Sequence, residues 1–146
     1  MNIFLDTSSL FKLYHKETGT GELEELFSTV KITTIFLSEI AKIEFASTVW
    51  KKVRTKDISE LEAQTTLELF EVDFPKYSFI GTDSVIIEQA RLLTTKYGIQ
   101  GLRTLDSIQL STAISLSQQA GGFFTADNLL KSLFDAEGLR TELPSR

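Results

Sequence analysis

The 146-residue chain contains no cysteine and only two prolines, Pro75 and Pro144. Without cysteine, the chain forms neither a disulfide framework nor a thiolate zinc site. With so few prolines and no serine- or glycine-rich stretch, nothing resembles a linker, and the length predicts one domain over residues 1–146. No apolar run approaches the ~20 residues of a membrane span. The start reaches Asp6 without a basic segment, so we expect no signal peptide, no membrane association and a cytoplasmic protein.

Positive charge is also scarce, because 15 Lys and Arg residues oppose 20 Asp and Glu residues, for a formal net charge of −5. This balance argues against a protein that binds nucleic acid through bulk positive charge. The composition, 42% hydrophobic and 24% charged, is that of a globular domain and excludes a disordered chain.

What the chain does contain is an alternation of short apolar runs and amphipathic stretches. The runs predict strands at residues 2–5, 31–37, 77–80 and 123–125, with a last edge strand at 139–143. The helical patterns fall at residues 22–28, 38–53, 82–97, 106–119 and 128–136, with Ser38 as an N-cap. Ser59 and Glu62 form a capping-box pattern before another helix. This alternation predicts an α/β protein, a three-layer α/β/α sandwich with a mostly parallel sheet of four or five strands.

Acidic residues stand where an α/β protein places its chemistry. Asp6 and Asp127 each directly follow a predicted strand, and the carboxyl ends of parallel strands form the ligand crevice of an open sheet. Asp106 falls in the first turn of a helix, and Glu44 borders the buried face of another. Carboxylates gathered in one crevice suit a divalent cation such as Mg²⁺. Capping and helix-dipole roles explain the aspartates equally well, and spacing alone does not select these acids from the other acids of the chain.

Four short blocks, in order along the chain, each contain one of these acids. They are FLDTSSLFKLY at 4–14 with Glu17 just after, LSEIAKIEF at 37–45, LRTLDSIQL at 102–110, and FTADNLL at 124–130. In this order and at these separations, the blocks resemble the PIN-domain ribonucleases, most closely the small VapC-type toxins of toxin–antitoxin pairs. The resemblance covers nearly the whole chain and agrees with the α/β/α sandwich inferred from the residue pattern.

The resemblance implies a metal-dependent endoribonuclease with a cognate antitoxin, an RNA substrate and a homodimeric assembly. It assigns the binding of Mg²⁺ or Mn²⁺ to Asp6, Glu44, Asp106 and Asp127. Hydroxyls that orient the carboxylates or the attacking water would come from Thr7, Ser8 and Thr125. Gln109 departs from the family pattern, since relatives often carry histidine there, and we take this position as structural.

Basic residues near these blocks are candidates for binding RNA. They are Lys12, Lys51, Lys52, Arg54 and Arg103. The cluster at the end of the long helix either complements the helix dipole or contacts phosphates. Lys12 and Arg103 lie close in sequence to the acids, where each either contacts the scissile phosphate or pairs with a carboxylate.

Two other functions compete with the ribonuclease. One is a non-catalytic PIN-like module that would use the fold for protein interaction. Whichever function holds, Phe11, Tyr14, Phe45 and Trp50 either fill the core, as we expect for most of the aromatic residues, or form an apolar groove for a partner helix, a use typical of antitoxin segments in the family that the chain resembles. A haloacid-dehalogenase-type phosphatase would need a second aspartate two residues after Asp6, where this chain has Ser8. If the four acids bind metal, the rest of the chain has 15 basic and 20 − 4 = 16 acidic residues, which weakens the argument from net charge.

Overall fold

A computed structural model describes residues 1–16 and 20–142 of the chain. The strands are β1 (Asn2–Leu5), β2 (Thr34–Ser38), β3 (Tyr77–Ile80) and β4 (Gly122–Phe124). The helices are α1 (Thr7–Phe11), α2 (Thr20–Thr29), α3 (Ala41–Arg54), α4 (Glu60–Asp73), α5 (Ser84–Lys96), α6 (Thr104–Ser115) and α7 (Asn128–Ala136), with a short 3₁₀ helix at Phe74–Lys76. In the described residues, the four strands form one parallel sheet in the order β3-β2-β1-β4.

The sheet is covered on both faces, as the apolar strands predict. Successive side chains of a strand point to opposite faces. On β1, Ile3 and Leu5 pack into a core with residues of α1 to α4, whereas Phe4 packs into a second core with residues of α5 to α7. The two cores confirm the α/β/α sandwich and explain why β1 is an uninterrupted apolar run.

Two aromatic residues of the suggested partner groove are part of the core. Phe11 and Phe45 are buried, their ring centroids lie 5.5 Å apart, and Phe70 stacks on Phe45 at 4.2 Å. Trp50 remains partly exposed on α3. Phe11 and Phe45 therefore fill the core, as predicted for most of the aromatic residues, and they are not available for the alternative docking groove.

Helix starts follow the predicted caps in one case and depart from them in another. The capping box of Ser59 and Glu62 is present at the start of α4. Ser38 is not the N-cap of α3, because it is still paired with Ile80 in the sheet, and the helix begins at Ala41. The strand thus continues through the position where the sequence predicts a cap.

The predicted last edge strand is wrong for residues 139–142, which are not in a strand. After α7 the chain turns at Gly138, which has a φ of 78°. One backbone hydrogen bond, from the Phe123 N–H to the Arg140 carbonyl at 2.8 Å, joins this segment to β4. Glu17 and Leu143 lie outside the described residues. Among those that are described, no helix combines the length and apolar character needed to cross a membrane.

Candidate active site

The acids that follow β1 and β4 meet at one edge of the sheet. Leu5 pairs with Phe124 across these parallel strands, so Asp6 and Asp127 both lie just beyond the carboxyl ends. From β1 the chain continues to β2, which lies on the side of β1 opposite β4. In an open parallel sheet, a crevice forms where the connections of neighbouring strands lead to opposite sides in this way. Here a cavity of about 480 Å³ has all four predicted acids in its lining. We call these four residues, Asp6, Glu44, Asp106 and Asp127, the site acids.

Asp6 is held by a dense set of hydrogen-bond donors. Its side chain caps α1 by accepting a bond from the Ser9 N–H at 2.9 Å. The Ser8 hydroxyl lies 2.8 Å from both carboxylate oxygens, and the Thr125 hydroxyl donates to Oδ2 at 2.6 Å. Asp6 is only 4% exposed, and this burial raises its pKa although the hydrogen bonds act in the opposite direction.

Glu44 reaches the cavity from the first turn of α3. Its Oε1 accepts hydrogen bonds from the Thr7 hydroxyl at 2.9 Å and from the Gln109 amide at 2.7 Å. Partial burial raises the pKa of Glu44, and the negative charges of Asp6 and Asp106 add to this effect. The hydroxyls of Thr7, Ser8 and Thr125 thus each form a hydrogen bond with a site acid.

Asp106 and Asp127 complete the acidic lining from two helix starts. Burial and the nearby charge of Asp127 raise the pKa of Asp106, while the charge of Arg103 opposes the shift. Asp127 is exposed and caps α7, because its Oδ1 accepts a bond from the Leu130 N–H at 2.7 Å. The capping role that the sequence offered as an alternative therefore coexists with a place in the cavity, for Asp6 as well as for Asp127.

Gln109 is a site residue that the sequence pattern did not reveal. The family pattern predicts a structural position, and its side chain also lines the cavity and bonds both Thr7 and Glu44. The available signal was an amide on a helix face that is otherwise packed into the core beside Leu110 and Ala113. A buried polar side chain needs hydrogen-bond partners, and the partners of Gln109 are Thr7 and Glu44.

The predicted basic residues divide into two groups. Lys51 and Lys52 line the acidic cavity from the last turns of α3. Arg54 and Arg103 do not line it, and Lys12 lines a neighbouring cavity of about 360 Å³ that shares Ala126 with the acidic cavity. Two of the five candidate cations thus share the cavity with the acids, and Arg103, outside the lining, still acts on Asp106 through its charge.

The donor chemistry of the cavity suits a hard divalent cation. Buried carboxylates with raised pKa values gain most from a nearby positive charge. None of the ion pairs in the described part of the chain involves a site acid. Within the same residues, no three acids are gathered closely enough to form a complete ligand cluster. Because Mg²⁺ is usually held by one or two carboxylates with water and substrate completing its shell, the residues present still fit such an ion.

Comparison with known proteins agrees with this architecture. The sequence model of the PIN domain matches residues 3–133, so the chain belongs to the PIN-domain family. This confirms the family resemblance of the four blocks. No curated protein sequence matches the chain significantly.

Solved structures show the same fold at low sequence identity. VapC20 of Mycobacterium tuberculosis, described as a toxin that cleaves the sarcin–ricin loop, is 13% identical with a TM-score of 0.71, over 97% of this chain and 99% of that chain. FitAcB from Neisseria gonorrhoeae is 16% identical with a TM-score of 0.70, over 95% of both chains. VapBC2 from Rickettsia felis, solved with a bound DNA fragment from its own promoter, is 20% identical with a TM-score of 0.63, over 97% of this chain and 98% of that chain.

Proposed function

We propose that this protein is a metal-dependent endoribonuclease and the toxin of a type II toxin–antitoxin pair. One observation carries the proposal: four carboxylates and two lysines line a single cavity at the carboxyl edge of the sheet. Membership of the PIN-domain family and the likeness to VapC20, described as a toxin that cleaves the sarcin–ricin loop, support RNA as the substrate.

The site acids would hold Mg²⁺ or Mn²⁺ at this edge of the sheet. When bound, the ion supplies Lewis acidity that makes water a stronger nucleophile and offsets charge developing on the phosphate. The chain itself fixes the carboxylates: Ser8 and Thr125 bond Asp6, and Thr7 bonds Glu44. Held in this way, the acids lose less freedom when the ion and substrate bind, which favours the reactive arrangement.

Lys51 and Lys52 are the residues best placed to contact the phosphates of the RNA. Both line the wall of the acidic cavity, where a phosphate beside the carboxylates would otherwise be repelled. Lys12 lines the neighbouring cavity, where it would contact an adjacent part of the RNA strand. Arg54 and Arg103 remain predicted contacts outside the cavity.

The partner in this proposal is a cognate antitoxin that covers the site. The likeness to VapBC2, which was solved as an assembly on DNA, supports such a partner. The homodimer and the cytoplasmic location stay predictions; light scattering of the purified chain tests the first and cell fractionation the second. The alternative is a non-catalytic interaction module that uses the same fold to bind a protein partner.

Purified protein and single-stranded RNA distinguish the two functions. We expect cleavage with Mn²⁺, none with a chelator, and none for Glu44→Gln, which keeps the side chain's length but removes its charge. Glu39→Gln is the matched control, because Glu39 is exposed and pairs with Lys42 outside the cavity. Equal cleavage by the Glu44 variant and the wild type would remove Glu44 from the site, and an inert wild type would support the interaction module.

Expression in cells tests the role as a toxin. We expect the lone chain to arrest growth and Asp106→Asn to relieve the arrest at equal protein level. Harmless expression of the soluble wild-type chain would contradict a toxin.

A further inference from the structure

Gln109 connects three elements of the site through one side chain. It is 1% exposed on α6, and its Nε2 lies 3.0 Å from the Thr7 Oγ1 of α1 and 2.7 Å from the Glu44 Oε1 of α3. Thr7 itself bonds the same oxygen of Glu44 at 2.9 Å. The three side chains form a closed triangle of hydrogen bonds beside the cavity, so the position of Glu44 depends on groups from two other helices.

The direction of these bonds follows from the chemistry of the partners. A carboxylate only accepts hydrogen bonds, so the Thr7 hydroxyl donates to Glu44 and the amide of Gln109 must present its NH₂ group. Thr7 Oγ1 then accepts the second amide hydrogen. This orientation leaves Gln109 Oε1 buried and without a hydrogen-bond partner among the described residues. A leucine of similar size would fill the space without burying an unpaired oxygen.

We propose that Gln109 is a positioning residue, whose amide holds the Glu44 carboxylate in the orientation needed to bind the divalent cation. This inference rests on the proposed function, because it assigns Glu44 to a metal site. Both NH₂ hydrogens of Gln109 contact the Glu44–Thr7 pair, while its other polar atom contributes no bond. A residue chosen for packing alone would not need this amide, whereas partners that orient ligands typically change metal affinity when removed.

Calorimetric titration of Mn²⁺ into the metal-free protein tests the role of Gln109, with thermal unfolding of the metal-free protein as the second readout. Gln109→Leu removes both donors and keeps the volume. We expect it to fold with an unchanged or higher melting temperature and to bind Mn²⁺ about 10- to 100-fold more weakly. Gln109→His restores one ring N–H donor, and we expect its affinity to return most of the way to that of the wild type.

Ser111→Ala is the matched control for a structural role. Ser111 is equally buried on α6, but its hydroxyl bonds the Ile86 carbonyl away from the cavity. We expect this variant to lower the melting temperature and leave Mn²⁺ affinity unchanged. If Gln109→Leu behaves like Ser111→Ala, Gln109 is structural and the inference is overturned. If the wild type itself binds no Mn²⁺, the proposed function fails first and the assignment of Gln109 fails with it.

Discussion

Two aspartates of this protein accept hydrogen bonds from hydroxyl groups, yet their surroundings shift their pKa values in opposite directions. Asp6 accepts bonds from Ser8 and Thr125, and its nearly complete burial raises its pKa. Asp73, at the end of α4, accepts a bond from the Tyr14 hydroxyl at 2.6 Å, and that bond lowers its pKa more than partial burial raises it. The same donor chemistry therefore gives opposite results, because burial dominates only at Asp6.

The two carboxylates also differ in how their charge is balanced. Asp73 also pairs with Lys76 at 3.0 Å, so its charge is compensated within the chain. Asp6 has hydroxyl and backbone donors but no ion pair among the described residues. A buried charge without a cation lowers the stability of the fold. Such a loss of stability is common at functional sites.

Neutralising the two aspartates separates their roles most strongly in RNA cleavage. Asp6→Asn should reduce cleavage to background, because the charge of the site is lost, while the helix cap is kept, since asparagine caps as well as aspartate. Asp73→Asn should cleave like the wild type. Initial rates on a labelled single-stranded RNA measure both effects, with circular dichroism as the check on folding. Full activity of Asp6→Asn would remove this carboxylate from the mechanism.

Removing the hydroxyl that bonds Asp73 should affect stability and leave catalysis unchanged. Burial and the bond to Asp73 raise the pKa of Tyr14, so its phenol stays a donor at neutral pH. Tyr14→Phe should lower the free energy of unfolding by about 1.5–3 kcal/mol, the typical value for a hydrogen bond to a charged group. Urea unfolding at pH 7 measures this loss. An unchanged midpoint, or a loss of RNA cleavage in the folded variant, would contradict the purely structural role of this pair.

The pH dependence of stability should differ in sign between site and structural carboxylates. Burial and the charge of Asp127 raise the pKa of Asp106 above its unfolded value of about 3.9, so stability is lost as the pH rises through the folded pKa. In metal-free protein at pH 7, Asp106→Asn should therefore raise the free energy of unfolding, by at most about 0.5 kcal/mol because solvent screens this half-buried group.

Asp73→Asn provides the opposite case for the same measurement. Because the pKa of Asp73 is lowered in the folded state, its charge stabilises the fold at pH values above the unfolded pKa. This contribution is lost as the pH falls through the folded pKa. The Asp73 variant should be less stable than the wild type at pH 7, and the difference should shrink in acid. Urea unfolding between pH 3 and pH 7 compares the two variants. A destabilised Asp106→Asn at pH 7 would show that its charge is already compensated in the metal-free protein.

The fold could be predicted from sequence where local pattern and burial agree. β1 is apolar at every buried position, since both faces of the sheet are covered, and α5 buries Ile86, Ala90 and Leu93 at the spacing of one helix face. The prediction was wrong at the segment 139–142, where a short run of strand-forming residues makes one backbone bond to β4 instead of pairing along it. Pattern alone cannot distinguish these two outcomes over so few residues.

The candidate site could be predicted in part. Asp6 and Asp127 follow strands, so parallel pairing alone brings them to one edge. Glu44 and Asp106 needed the family resemblance, because helix positions do not reveal which cavity they face. The contact of Gln109 with Glu44 joins residues 65 positions apart and depends on how α3 and α6 pack, which no local pattern records.

The order of the strands has a consequence for synthesis of the protein. Among the described residues β4 is the last strand, yet it pairs with β1, the first. Asp6 acquires its bond from Thr125, and the cavity gains Asp127, only after this pairing forms. Most of the chain therefore emerges from the ribosome before the site can form. Under the proposed function, a nascent toxin stays harmless to the RNA around it until its final strand has emerged and joined the sheet.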